Sequence, residues 1–380
     1  MVSSLLTSVP LQRFLARQAI RFLPSTFRFG KTVVALGWND VANILSRDDV
    51  FHLAPINRDR IEGVSGPFFL GMDRSPEYFV QRCSGYQAMA ALDLKRDSDL
   101  IQQDARAMLD AAERKIDIVN GYARPIAART AVRIFGVDGP SETELMRVAR
   151  AVFQETFLNL NDAADVRQRG REAGVHLMAW TRAEIEKRRQ TPGKHTDFLG
   201  ALLADPALTD NDAAHVLNGF LIGAIDTTAT VVANVIYEIV SDADLLAAAR
   251  NDCSDLNRMM GWCLEALRRR PHNPLLVREA ACATEVGGTN VQPGDRVYAI
   301  TFTAHQDPAR FPSPKLMDPT RPRSAYLHFG HGPHSCAGRD LNALQIPILV
   351  AEILRKKPRA ISGIEFEGPF PNKLIAHLGG

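Results

Sequence analysis

The sequence is poor in cysteine, poor in aromatic residues and without an excess of either charge. Its five cysteines (Cys83, Cys253, Cys263, Cys282 and Cys336) form no CxxC pair and are odd in number. That argues against a disulfide framework and a zinc ribbon. Such usage suits a reducing compartment, and the cytoplasm is the expected location. A formal net charge of only +2 gives no reason to expect a nucleic-acid partner. No internal repeat or low-complexity linker interrupts the chain, and no apolar window is expected to span a membrane. The expectation is one domain over residues 1–380, acting as a monomer.

The N-terminal stretch also lacks acid. Arg13, Arg17, Arg21, Arg28 and Lys31 all precede the first carboxylate, Asp40. This resembles an organelle transit peptide, yet RFGKTVVALGWNDVANILS (28–46) already reads as strand, turn and helix. The expectation is an amphipathic first helix, with Leu11, Phe14, Leu15 and Phe22 packed inward and the arginines in water.

What the sequence does have is helical patterning from about Ser75 to Arg270. Asp210 to Asp242 reads as one long helix, apolar on most of its circumference and therefore expected in the middle of the fold. Asp226 and Thr227 lie inside it, where an unpaired polar group is costly. After Arg270 the pattern alternates, and a β-hairpin with a Pro293-Gly294 turn is expected. A proline-rich meander follows, then LHFGHGPHSCAGRDL (327–341) and a final helix. The fold class is mainly α with a small β-rich region.

The glycine-cysteine loop carries the strongest chemical signal. Phe329, Gly332, His334 and Gly338 stand at −7, −4, −2 and +2 from Cys336. A lone cysteine beside an apolar helix is usually an inert buried thiol. This one directly precedes a helix, whose free N–H groups and dipole stabilise a thiolate. Gly332 and Gly338 would leave room for a flat ligand, and His334 has the chemistry to hold that ligand's carboxylate.

The pattern FxxGxHxCxG resembles the haem-ligand signature of the cytochrome P-450 family, the haem-thiolate monooxygenases. The resemblance implies the P-450 fold, with a haem b between the long central helix and the cysteine loop, and Cys336 as the axial ligand of its iron. Other segments extend the likeness from about Asp73 to Leu341. Glu265 and Arg268 in EALRRRP resemble the ExxR pair; any isolated ExxR is ordinarily a solvated helical ion pair. The resemblance makes this one a buried structural network, completed by Arg321 in DPTRP. GAIDTT (223–228) resembles the distal-helix motif (A/G)GxDTT, implying that Asp226 and Thr227 hold water and deliver protons. Ala224 stands where glycine is usual. MDRSPEYFVQR (72–82) resembles a propionate-binding segment with Tyr78 in place of a histidine; Arg82 matches, and Arg278 matches a second propionate arginine. His305-Gln306 replaces Asn-Arg in the ANRDP segment.

These likenesses imply a monooxygenase that puts one oxygen atom from O2 into a lipophilic small molecule. With no redox domain in the sequence, a ferredoxin or flavodoxin with its reductase would supply the electrons. A peroxide-driven peroxygenase, or a non-catalytic haem carrier or sensor, would use the same cysteine. Phe220 and Ile225 are candidate walls of a substrate pocket, with Asn218 among its polar anchors.

Overall fold

The computed structural model describes residues 9–137, 139–159, 161–191, 193, 195–368 and 370–379. The chain forms two compact units, each assembled from two separate stretches. One comprises Met1–Ile56 with Asn257–Cys336, the other Asn57–Leu256 with Ala337–Gly380.

The first unit holds a five-stranded sheet in the order Thr26–Phe29, Thr32–Ala35, Arg296–Ala299, Leu276–Ala280 and Phe51–His52. Gly30, at φ +58°, makes the tight turn between the first two strands. Strand, turn and helix therefore follow one another as RFGKTVVALGWNDVANILS suggests, with the helix at Trp38–Ser46. Thr32–Ala35 pairs parallel to Arg296–Ala299, which pairs antiparallel to Leu276–Ala280. The local hairpin departs from expectation. Thr284–Val286 pairs with Thr289–Val291 around Gly287-Gly288, whose φ values of +53° and +76° suit only glycine. Pro293-Gly294 instead leads the chain into the five-stranded sheet. The N-terminal helix Val9–Phe22 also departs from expectation, because Phe14, Leu15 and Phe22 are exposed.

The second unit is a helical body around a core that includes Phe68, Phe69, Phe135, Phe198 and Phe220. The ring of Phe220 lies 4.5 Å from that of Phe198 and 6.2 Å from that of Phe69. Phe220 and Ile225 are thus core residues rather than walls of an open pocket. Asn218 is fully buried, and its Oδ1 accepts a 2.6 Å bond from the Thr181 hydroxyl, so its polarity is already satisfied within the core. The long helix is present as Asp210–Ala224 and Asp226–Val240, meeting at Ile225. Contrary to expectation, Asp210–Val240 is long and apolar enough to cross a membrane, but 83% of its most apolar window is buried, as in a core helix. Thr209 and Asp212 form a reciprocal capping box at its start. A three-stranded sheet of Lys115–Asp117, Phe370–His377 and Ala360–Glu367 also belongs to this unit. Its two long strands follow the final helix expected from the sequence, Arg339–Arg355, and are an addition to that expectation.

Candidate functional site

The cysteine loop is built by backbone geometry. Gly330 and Gly332 have φ values of +70° and +69°, open to glycine at little cost. Gly332–His334 makes one 3-10 turn, and the Cys336 N–H donates 2.7 Å to the Phe329 carbonyl. A Cβ on Gly332 would lie 2.6 Å from the Leu45 carbonyl oxygen. This glycine therefore seats the loop on helix Trp38–Ser46, rather than clearing space for a ligand as expected. Gly338, two residues after the cysteine, occupies the N-cap position of helix Arg339–Arg355. Cys336 is half-buried, whereas Cys253 and Cys263 are buried and Cys83 and Cys282 exposed. Burial pushes the Cys263 thiol far up, which makes it inert. His334 is almost enclosed, with Nε2 3.7 Å from Asp48 Oδ2.

In the same unit, Glu265 and Arg268 form a fully buried bidentate pair at 2.8 and 2.9 Å. Helix Leu256–Arg269 places them one turn apart. Arg268 also donates to the carbonyls of His305, Pro314 and Leu316, and Glu265 accepts from the Asp318 N–H and the Tyr326 hydroxyl. Arg321 approaches Glu265 at 3.5 Å and donates to the Pro312 carbonyl. Burial and the adjacent Glu265 push the Tyr326 phenol strongly upward, so it remains a donor. Tyr326 went unnoticed in the sequence, where only its place in the meander before the cysteine loop hinted at it.

In the second unit, the helix junction at Ile225 redistributes hydrogen bonds. The Thr227 hydroxyl donates to the Gly223 carbonyl, and that of Thr228 donates 2.8 Å to Ala224. Such back-bonding loosens the helical ladder. Gly223, Ala224 and Thr227 are half-buried although their neighbours are enclosed. A Cβ on Gly223 would meet nothing within 4 Å. Asp226 faces elsewhere. It is 1% exposed, and its Oδ1 lies 2.8 Å from Arg124 Nη2 and 3.2 Å from Arg150 Nη1. Arg150 continues to Glu367, which also accepts from Gln154. The acid and the alcohol thus occupy different environments instead of one shared water site. Neither arginine was singled out in the sequence, since a buried acid demands a cation without specifying which distant one supplies it.

Tyr78 and Arg82 share a face of helix Pro76–Ala90, which Ser75 caps through the Tyr78 N–H at 3.0 Å. Tyr78 is buried, and the half-buried Arg82 lies 4.8 Å over the Tyr86 ring. Arg278, also buried, sits on strand Leu276–Ala280.

The donor set suits a haem. In the first unit, Cys336, half-buried, outside any disulfide and just ahead of a helix, has the chemistry to bind its iron, and the buried Arg278 that to bind a propionate; in the second unit, Arg82 offers the same propionate chemistry and Gly223 faces open space within an otherwise packed helix. The family model described as Cytochrome P450 matches residues 143–356, more than half of the chain. This chain belongs to the cytochrome P450 family. Membership implies a haem iron.

Cytochrome P450 105C1 of a Streptomyces species is 30% identical over 67% of this chain and 64% of its own length. The cytochrome P450 monooxygenase PikC of Streptomyces venezuelae is 28% identical over 69% of this chain and 61% of its own. The 6-deoxyerythronolide B hydroxylase of Saccharopolyspora erythraea is 26% identical over 66% and 60%. The chain thus spans less than two thirds of these relatives. Two cytochrome P450 structures, P450BioI in complex with an acyl carrier protein ligated to hexadec-9Z-enoic acid and the ligand-free TbtJ1, superpose with TM-scores of 0.83. Their identities are 20% and 21%; each match covers 98% of this chain, with 99% and 98% of those chains. At this identity they speak for the fold.

Proposed function

We propose that this P450 is a haem-thiolate monooxygenase holding haem b on Cys336 and oxidising a lipophilic small molecule. The observation that carries this reading is the half-buried Cys336, outside any disulfide, in a loop set by Gly330 and Gly332 and just ahead of a helix. Relatives named as a monooxygenase and a hydroxylase support it. The bound haem supplies the oxygen chemistry. Cys336 binds the iron as a thiolate, stabilised by the N-terminus of helix Arg339–Arg355. Arg82 and Arg278 bind the propionates through charge-assisted bonds, with Tyr78 and His334 as neutral or weaker partners. Thr227 Oγ1, on the loosened side of the helix, holds water and passes on a proton. Asp226 feeds that site only after leaving Arg124 or Arg150. Electrons come from a separate ferredoxin or flavodoxin with its reductase, and the protein works as a cytoplasmic monomer.

The reduced carbon-monoxide complex tests the reading. A thiolate-type spectrum that becomes imidazole-type in Cys336→His is the expected result; an imidazole-type spectrum in the folded parent protein overturns it. The commitment of Asp226 to two arginines also favours a second reading, peroxide-driven oxygenation, in which proton delivery matters less. Turnover with hydrogen peroxide that matches or exceeds turnover with reduced cofactor and redox proteins would select it.

A further inference from the structure

The arginines of helix Val9–Phe22 are expected in water, yet the structure turns two of them inward. Arg13 and Arg17 are one helical turn apart and both half-buried, while Phe14 and Leu15 between them are exposed. With Arg269, Pro314 and Lys315 they line a cavity of about 260 Å³, many times the room one water needs. The lining thus holds four cations and no carboxylate.

Two of these cations are ordinary by themselves. Arg269 ends helix Leu256–Arg269, where the dipole favours a positive charge, and Lys315 is an exposed lysine. Arg17 has no such account. Its Nη1 donates 3.4 Å to the neutral Oε1 of Gln306, and among the described residues no carboxylate pairs with it. Burial lowers its pKa, and Arg268 and Arg269 add to the effect. Like charges at i,i+4 spacing, such as Arg13 and Arg17, are unfavourable as well. A multivalent anion in the cavity turns this repulsion into attraction.

We propose that the cavity binds a soluble anion of the diphosphate class, and that this anion ties helix Val9–Phe22 to the segment at Pro314-Lys315. Guanidinium forks present paired N–H donors to phosphate oxygens, and four positive charges call for more than the single charge of a carboxylate. The site also reaches the buried Glu265–Arg268 pair. The Pro314 carbonyl accepts from Arg268 Nη1 at 2.9 Å. Gln306, besides accepting from Arg17, donates 3.1 Å to the Arg268 carbonyl. An occupied cavity therefore stabilises the first unit against unfolding. This inference is independent of the proposed oxidation chemistry.

Calorimetric titration of the full-length, haem-loaded protein with sodium diphosphate, at an ionic strength held constant with sodium chloride, tests it. Diphosphate should bind roughly tenfold more tightly than inorganic phosphate and should raise the midpoint of thermal unfolding, while chloride does neither. Arg17→Gln should weaken diphosphate binding about tenfold or more, the loss of a charge-assisted bond. Lys315→Gln, at an exposed position, should weaken it about threefold. Lys115→Gln, exposed on the strand Lys115–Asp117, should leave it unchanged. If the partly enclosed Arg17 variant fails to fold, Lys315→Gln measured against Lys115→Gln decides. Neither heat nor stabilisation with diphosphate, or equal affinity in the Lys315 and Lys115 variants, would overturn the proposal. So would binding to phosphatidylglycerol vesicles by protein that ignores soluble diphosphate, which assigns the cavity to a lipid headgroup. Equal affinity for hexaglutamate would overturn it too, in favour of an acidic protein.

Discussion

Two regions of the molecule place polar side chains inside packed helices, and they do so in opposite ways. Around Glu265 and Arg268 the charges are surrounded by partners: carbonyls of His305, Pro314 and Leu316, the Asp318 N–H, the Tyr326 hydroxyl and Arg321. The backbone is pressed equally tight, since a Cβ on Gly261 would lie 2.1 Å from the Pro319 carbonyl oxygen. Around Thr227 the helix is loosened instead, with hydroxyls turned onto its own carbonyls and open space beside Gly223. Dense satisfaction signals a device that holds shape. Looseness kept inside a packed helix is costly for stability alone and suits a place where water must come and go.

The largest expected effect is a pH effect on the dense region. His305 and His328 stack with ring centroids 4.2 Å apart, and burial holds His328 and the nearby His272 neutral, at pKa values of about 3. His305 is lowered well below the usual imidazole value too, by burial and then by His328 and Arg268. The unfolded chain takes up these protons below about pH 6.5 and the folded one does not, so stability falls as pH drops from about 6.5 toward 3. Each histidine should cost on the order of 1.4 kcal/mol per pH unit in that window. Denaturant unfolding at successive pH values checks this, and a flat profile between pH 6 and 4 would break the account (roughly the acid side of an ordinary histidine).

Glu265→Ala comes next. Removing one partner of an enclosed pair should cost about 3–5 kcal/mol and leave insoluble or haem-poor protein. Stable, fully loaded protein would mean that the dense region carries little of the fold.

Thr227→Ala sharpens the comparison from the other side. It should change unfolding free energy by no more than about 1 kcal/mol, because its hydroxyl merely supplements a helical carbonyl. Product formed per reduced cofactor should nevertheless fall while hydrogen peroxide rises. Unchanged coupling would place the proton route elsewhere. Thr228 should matter less, as its hydroxyl is committed to Ala224 and to Asn342 at 3.2 Å.

The smallest effect belongs to Tyr78→Phe. Loss of one neutral hydrogen bond should weaken haem retention by about 1 kcal/mol, measured as haem transfer to an acceptor protein. A loss as large as that of Arg82→Ala would mean that the tyrosine does more than replace a histidine.

The dense region was legible in the sequence because its signals are local. Glu265 and Arg268 are one helical turn apart, and the cysteine loop is a single short segment. Gly332 could be found but not explained, since its reason is the backbone of Leu45 and Ser46 far away in sequence. Arg124 and Arg150 were invisible on the same ground. The N-terminal helix was misread because periodicity reports that two faces differ without saying which one points inward.

The parallel pairing of Thr32–Ala35 with Arg296–Ala299 has a consequence for biosynthesis. At ordinary elongation rates the partner strand leaves the ribosome on the order of 10–50 s after the first strand does. Throughout that interval the newborn chain carries a Val-rich β-ribbon whose inner edge has nothing to bind, and such edges recruit other strands. The vulnerable moment for this protein is therefore during translation, and slower growth or chaperone capture of the first fifty or so residues should raise the soluble yield.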